Sequence, residues 1–75
     1  MTIKLINRGT EGELLLDGRL DAVTSPEAEE ILLQMTERFE TLILNMEQLQ
    51  YISSAGLRVL KKTYMAAVRK NGSLE

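Results

Sequence analysis

The chain contains no cysteine and no histidine among its 75 residues. Neither disulfides nor an ordinary zinc site can support its fold, so stability must come from a hydrophobic core. The composition permits such a core, because 44% of the residues are hydrophobic, 27% are charged and one is proline. A core of this size supplies only about 3–5 kcal/mol of net stability. We expect one small globular domain over residues 1–75.

The sequence carries no sign of export or membrane insertion. Its apolar runs fall short of the roughly 18 residues that span a bilayer. The first residues, Met1-Thr2-Ile3-Lys4, lack the hydrophobic region of a secretory signal. We therefore expect a cytoplasmic protein with no membrane partner.

Three short apolar runs predict strands. Residues 3–7 and 13–17 flank a connection with two glycines, which is typical of a β-hairpin. Residues 19–23 follow no clear period and are predicted to be a connecting loop. The continuous run 41–46 predicts a strand in the middle of a sheet or buried on both faces. Residues 47–52 are predicted to be a loop.

Two segments have the period of a helix. Ser25 and Pro26 suit the N-cap and the first helical position of the first one. Apolar residues recur on one face of this helix: Ala28, Ile31, Leu32, Met35 and Phe39. The second helix follows Ser53-Ser54-Ala55-Gly56 and is predicted to stop at Asn71-Gly72. Its apolar face is predicted to comprise Leu57, Leu60, Tyr64, Ala67 and Val68.

The predicted order is β-β-α-β-α, an α/β fold with a small mixed β-sheet and helices packed on one face. Such a layer needs a further strand after its second helix, and only three residues follow Gly72. We expect a domain truncated at its C-terminus; alternatively, Leu74-Glu75 is a non-native tail. A truncated sheet would expose an edge strand and part of the second helix, and we expect a homodimer to cover them.

Charge is distributed unevenly along the chain. Residues 1–52 hold ten acidic and four basic side chains, whereas residues 53–75 hold five basic side chains and one acidic. Basic clusters occur in nucleic-acid-binding proteins, but here the isoelectric point is about 5.1 and no aromatic stacking platform accompanies the cations. We therefore expect no direct nucleic-acid partner. The cluster is expected to complement an acidic neighbour in the same fold: Arg58, Lys61, Lys62, Arg69 and Lys70.

The sequence lacks the residues of most catalytic sites. Without histidine or cysteine it has no Ser-His-Asp or Cys-His arrangement, and no glycine-rich phosphate-binding motif occurs. Glu13, Asp17 and Asp21 could be arranged around magnesium, but carboxylates at strand ends more often serve turns and solvation. We predict no enzymatic activity, no metal and no cofactor.

Residues 51–57 place two serines where a loop enters a helix. Unpaired N–H groups and the positive end of the helix dipole favour an anion there, so a phosphate on Ser54 would add charge without unfolding the helix. Ala55 and Gly56 are small and are expected to leave the backbone open to a partner. Serines at this position are also common N-caps with no other role, and both interpretations stand at this point.

Three segments resemble, in order and spacing, the STAS domain family of anti-sigma factor antagonists. Residues 52–60, Ile-Ser-Ser-Ala-Gly-Leu-Arg-Val-Leu, resemble the phosphorylation loop of the family. Residues 16–22 and 24–27 resemble its second strand and the entry to its first helix, and residues 42–46 resemble its central strand. The resemblance covers nearly the whole chain.

The resemblance implies a regulatory module of bacterial signalling and transcription. An antagonist of this family binds an anti-sigma factor that is also a serine kinase, the kinase phosphorylates the loop serine, and a metal-dependent serine phosphatase removes the phosphate. By position, the phosphoacceptor is Ser54, with Ser53 as the alternative. The residues expected to bind the partner are Asp21, Ser53, Ser54, Ala55, Gly56, Leu57 and Arg58.

Two positions differ from the pattern of the family. Ser53 and Asn45 stand where the switch members usually carry Asp. Both changes remove negative charge that we expect to lie beside the phosphate. A second function therefore stays open: a non-phosphorylated STAS interaction or scaffold module of a stress-signalling complex or a lipid-transport accessory protein.

Overall fold

The structure is a computed structural model that describes residues 1–70 and 72–74. The predicted order β-β-α-β-α is confirmed, and a strand of two residues follows the second helix. The elements are β1 (Thr2–Arg8), β2 (Glu11–Leu20), α1 (Ser25–Arg38), β3 (Thr41–Ile52), α2 (Ser54–Arg69) and β4 (Ser73–Leu74). Neither helix of this described part is long and apolar enough to cross a membrane.

The four strands form one mixed sheet in the order β1-β2-β3-β4. β1 and β2 are antiparallel and form the predicted hairpin, whereas β3 runs parallel to β2, and β4 runs parallel to β3. Parallel neighbours need crossover connections, and α1 and α2 supply them. β3 therefore lies inside the sheet, as its apolar sequence predicted.

The core lies on the face of the sheet that both helices cover. It is a cluster of side chains that are at most 5% exposed: Leu14, Leu16, Leu32, Phe39, Leu42 and Val59. No described helix covers the other face, so Ile43 and Asn45, which alternate with Leu42 along β3, stay half-buried. Of the two alternatives predicted for residues 41–46, burial on both faces is wrong, and a position in the middle of the sheet is confirmed.

Residues 19–23 and 47–52, both predicted to be loops, lie wholly or partly in strands. β2 runs through Leu20 and β3 runs through Ile52, and these two residues are paired. Register shifts interrupt the pairing of the two strands, and they remove the simple alternation by which a strand is recognised in a sequence. The loop prediction is wrong for the first two residues of 19–23 and for all of 47–52.

α1 begins at Ser25, and Thr24 takes the N-cap position that the sequence assigned to Ser25. The side chain of Thr24 makes no cap hydrogen bond, and the hydroxyl of buried Ser25 donates to the carbonyl oxygen of Asp21. The predicted apolar stripe is confirmed. Three of its members are at most 2% exposed: Ala28, Leu32 and Phe39.

α2 buries only part of the predicted face: Ala67 is buried and Leu60 packs half-buried against the core. Its buried residues are Gly56, Val59, Thr63 and Ala67. Three members of the predicted apolar face are at least half exposed: Leu57, Tyr64 and Val68. Thr63 is tolerated in the interior because its hydroxyl donates to the carbonyl oxygen of Val59 at 2.8 Å. The side of α2 that faces the sheet thus carries mostly small side chains, and the hydrophobic pattern of the sequence does not identify this side.

α2 ends at Arg69, close to the predicted stop. The N–H of Gly72 donates to the carbonyl oxygen of Ala67 at 2.9 Å and closes the last turn. The other half of the predicted stop, Asn71, and the chain end at Glu75 lie outside the described residues.

Candidate functional site

The candidate site lies at the edge of the sheet where the parallel strands β2 and β3 both end. The N–H of Ser53 donates to the carbonyl oxygen of Leu20 at 2.9 Å, which ties the entry of α2 to the end of β2. A second loop, residues 21–24, leaves the same edge and enters α1. This edge is where α/β folds commonly carry their functional loops. The structure thus brings Asp21 together with the segment 53–58.

The two serines of the loop have different environments. Ser53 is the N-cap of α2, where its Oγ accepts a hydrogen bond from the N–H of Gly56 at 3.3 Å. Its carbonyl oxygen accepts another from the N–H of Leu57 at 2.9 Å. Ser54 is the first residue of the helix and is exposed. One hydroxyl therefore serves the fold, and the other faces solvent.

Gly56 is buried against the end of β2. A Cβ at this position would lie 2.8 Å from both Cγ and the carbonyl oxygen of Leu20, and 2.9 Å from Cγ1 of Ile52. A backbone carbonyl cannot avoid such a contact by changing rotamer. Gly56 is therefore required for the close packing of α2, and the expectation that it leaves the backbone open to a partner is wrong.

Asp21 holds the neighbouring loop in a tight turn. Its Oδ1 accepts hydrogen bonds from the N–H groups of Val23 at 3.0 Å and Thr24 at 3.1 Å. The bond from the Thr24 N–H is the main cause that lowers the pKa of Asp21, with further lowering by Val23 and the Arg19 guanidinium. The turn leaves Val23 at its tip with 87% of its surface exposed.

A shallow groove separates the first turns of α1 and α2 and borders the serine loop. Its lining includes Ala22, Ser25, Pro26, Ala55, Arg58 and Lys62. The Nζ of Lys62 lies 2.8 Å from Oε1 of Glu29 on α1. This pair confirms that part of the basic cluster complements an acidic neighbour. Arg58 is exposed one helical turn after Ser54.

Asn45 lies far from the serines. The remainder of β3 separates it from them by roughly 20 Å, at about 3.3 Å per residue. Its Nδ2 donates to Oε2 of Glu13 at 3.0 Å, and Nη1 of Arg8 donates to Oε1 of the same carboxylate at 2.8 Å. These bonds, the one from Asn45 foremost, lower the pKa of Glu13. The expectation that Asn45 changes the charge beside a phosphate on Ser54 is wrong.

The three carboxylates considered for magnesium do not form one site. Glu13 binds Arg8 and Asn45 in the middle of the sheet, and Asp21 stabilises its turn at the edge. Within residues 1–70 and 72–74, no group of three acidic side chains is placed to hold a metal ion.

Two contacts of the site were not predicted from the sequence. Leu20 accepts the N–H of Ser53, and the guanidinium of Arg19 lies 4.3 Å from the centre of the Tyr51 ring. Both contacts depend on the pairing of β2 with β3, which no local pattern reveals. The turn at Asp21 did have a local signal, because Asp followed three residues later by Thr favours side-chain bonds to the backbone.

A model of the STAS domain family matches residues 4–75 of this chain. No curated protein matches it significantly. Among solved structures, an anti-sigma factor antagonist from Mycobacterium paratuberculosis has a TM-score of 0.85 at 20% sequence identity. That match covers 97% of this chain and 64% of the mycobacterial chain.

SpoIIAA, an anti-sigma factor antagonist and Bacillus cell fate determinant, matches in its unphosphorylated and phosphorylated forms. Both matches have a TM-score of 0.79 and 17% identity and cover 97% of this chain, with 69% and 68% of the respective SpoIIAA chains. Mglu matches with a TM-score of 0.84 and 17% identity over 96% of this chain and 18% of its own.

The structural matches are too distant in sequence to show more than a shared fold. They share with this chain the architecture of a small mixed sheet with two helices. The family model itself covers all but the first three residues. This chain belongs to the STAS domain family.

Proposed function

We propose that this chain is an anti-sigma factor antagonist that binds an anti-sigma factor with serine kinase activity and is released when the kinase phosphorylates Ser54. Ser53 is the alternative acceptor. The observation that carries the proposal is the difference between the two hydroxyls: Ser53 accepts the cap hydrogen bond of α2, whereas Ser54 is exposed. The existence of SpoIIAA in unphosphorylated and phosphorylated forms supports a switch of this kind.

The proposed switch acts through local electrostatics. A phosphate on Ser54 would carry about −1.5 to −2 charges at a helix end whose N–H groups and dipole favour an anion, so α2 would stay folded. In the complex, the same charge would lie in a contact surface formed for a neutral hydroxyl. Its desolvation and its repulsion from acidic groups of the partner would weaken binding.

The proposed contact surface joins the first turns of α2 to the loop that Asp21 holds. Leu57 is 57% exposed and Val23 is 87% exposed, so apolar side chains are available on both elements. Arg58 adds an exposed cation beside Ser54. These groups suit a protein surface that is partly apolar and carries a carboxylate.

The other expected binding residues support this surface from behind. Ser53 caps the helix, Gly56 sets its distance from the sheet, and Ala55 is half-buried in the groove beside α1. A serine phosphatase would restore binding by removing the phosphate. We place this cycle in the cytoplasm, where release of the sigma factor would change transcription.

Binding to serine kinases encoded near this gene tests the proposal. Ser54→Ala is expected to bind the kinase and to accept no phosphate. Ser54→Asp is expected to bind at least about tenfold more weakly, a difference of about 1.4 kcal/mol. Ser53→Asp is the matched control, because it adds the same charge one residue earlier and Asp is a good N-cap; it should retain binding. Equal binding by the two Ser54 variants would contradict the switch.

A second candidate function is a non-phosphorylated STAS interaction module in a stress-signalling complex or a lipid-transport accessory protein. Two observations favour it: Ser53 stands where the switch members usually carry Asp, and in Mglu the matched region is 18% of a longer chain. Failure of every neighbouring serine kinase to transfer phosphate to the wild-type protein would favour this candidate.

A further inference from the structure

The outer side of the helical layer carries opposite charges on its two helices. Apart from the pair of Lys62 with Glu29, three exposed carboxylates lie on α1 and three exposed cations on α2: Glu27, Glu30 and Glu37, and Arg58, Lys61 and Arg69. The last turn of α1 also carries one exposed cation, Arg38. α2 contains no acidic residue at all. Within the described residues, one ion pair of 4.0 Å or less joins the two helices, that of Lys62 with Glu29. The charges of the outer side are therefore left facing solvent.

The two helices run in the same direction, because each connects neighbouring parallel strands. The bond between Lys62 and Glu29 sets their relative height. With a rise of about 1.5 Å per residue, the heights of Glu30 and Lys61 along the helix axes then differ by no more than about 3 Å. Glu37 and Arg69 match in the same way, at the far ends of the two helices.

We propose that the outer side of this helical layer is a dimer interface for a second copy of the chain. The two-fold axis would run parallel to the helices and midway between them. Rotation about this axis does not change the height of any residue along the helices. It places α1 of each copy against α2 of the other copy, so the same contact forms twice. Acidic and basic side chains then meet at matched levels.

Other partners and orientations fit the charges less well. A two-fold axis across the helices would place α1 on α1 and α2 on α2, so that like charges repel. A nucleic acid or an anionic membrane would be attracted by α2 but repelled by the neighbouring carboxylates of α1. A second copy supplies both signs of charge in the required arrangement.

Apolar side chains are available to be buried in this interface. Met65 and Val68 on α2 are 44% and 50% exposed, and Leu33 of α1 lines a groove with Met65 between the helices. Contact between these side chains would supply affinity, and the charges would fix the orientation. The interface differs from the strand-edge pairing expected from the sequence, because it uses the helical layer.

Charge reversal with complementation tests the proposal, measured by sedimentation equilibrium from micromolar to millimolar protein at low salt. Glu30→Lys/Glu37→Lys reverses charges on α1, and Lys61→Glu/Arg69→Glu reverses charges on α2. In a dimer of either double variant alone, like charges would face each other. We therefore expect the association constant to fall at least about tenfold. An equimolar mixture of the two restores opposite charges at every pair. We expect this mixture to associate about as strongly as the wild-type protein.

Asp17→Lys/Glu47→Lys is the matched control for the α1 double variant, because it changes the net charge by the same amount and in the same direction at residues that border a groove on the uncovered face of the sheet. We expect it to leave the dimer unchanged, and thermal unfolding of each variant reports whether the fold is intact. A wild-type protein that is monomeric at millimolar concentration would overturn the proposal. A dimer that persists in both double variants would also overturn it, in favour of pairing through strand edges. So would a mixture that associates no better than its components.

Discussion

Gly56 is the residue at which α2 comes closest to the end of β2. The space that a side chain would need is occupied by the carbonyl oxygen and Cγ of Leu20 and by Ile52. The N–H of Gly56 also donates to Ser53, so the same residue completes the N-cap. The position of the exposed Ser54 hydroxyl therefore depends on a glycine two residues later.

Gly56→Ala tests this dependence. A helical Ala is favoured over Gly by about 1 kcal/mol, but its Cβ would lie 2.8 Å from a backbone oxygen. We expect the clash to prevail, with a net loss of roughly 1–3 kcal/mol in the free energy of unfolding measured in urea. Leu57→Ala, at an exposed neighbour, should change it by less than about 0.5 kcal/mol. A Gly56→Ala protein as stable as the wild type would refute the close packing.

Asp21→Asn tests the turn beside the serine loop. Hydrogen bonds from Thr24 and Val23 lower the pKa of Asp21 in the folded chain. Its carboxylate therefore stabilises the fold above the ordinary pKa of about 3.9, and this contribution is lost as the pH falls through the lowered pKa. The variant should be less stable than the wild type near neutral pH, and the difference should shrink as the pH falls below about 3.9.

Urea unfolding at about pH 7 and about pH 3 measures that difference. Asp17→Asn, at an exposed carboxylate on β2, is the control for removing one negative charge. A stability difference between Asp21→Asn and the wild type that stays constant across this range would contradict the role given to the Asp21 carboxylate.

At the scale of elements, the ends of β2 and β3 position the site, and this part was the hardest to predict. α1 was predictable because apolar residues recur at helical spacing along it, and Leu32 and Phe39 among them are buried. The buried face of α2 was not, since Val59 shares it with glycine, threonine and alanine. The last part of β3 is polar and half open to solvent, so it has the composition of a loop. Its strand character comes from pairing with β2, a long-range contact.

Amide hydrogen exchange tests the pairing at this edge. The N–H of Ser53 donates to Leu20 and should exchange slowly. The N–H of Ser54 is in the first turn of α2, where backbone donors have no helical acceptor, and it should exchange much faster. Equal, rapid exchange at both amides would show that residues 47–53 behave as the loop that the sequence predicted.

At the scale of the whole molecule, one face of the sheet is packed and charged groups are divided between the two helices. The division follows the sequence, in which the basic residues are concentrated after position 52. The sequence predicted the uneven distribution of charge. It also predicted that the basic cluster complements an acidic neighbour in the same fold, and the ion pair of Lys62 with Glu29 confirms this in part. It could not predict that the remaining charges share one outer surface, because that depends on both helices packing on the same face.

The central claim is that Ser54 is the modified residue of a binding switch. Top-down mass spectrometry of the protein isolated from its native cells, under several growth and stress conditions, tests it most directly, since one spectrum gives the number of phosphates and their position. The account predicts a form with one phosphate on Ser54 and an unmodified form in changing proportion. Absence of phosphate under every condition, or a phosphate confined to another residue, would contradict it.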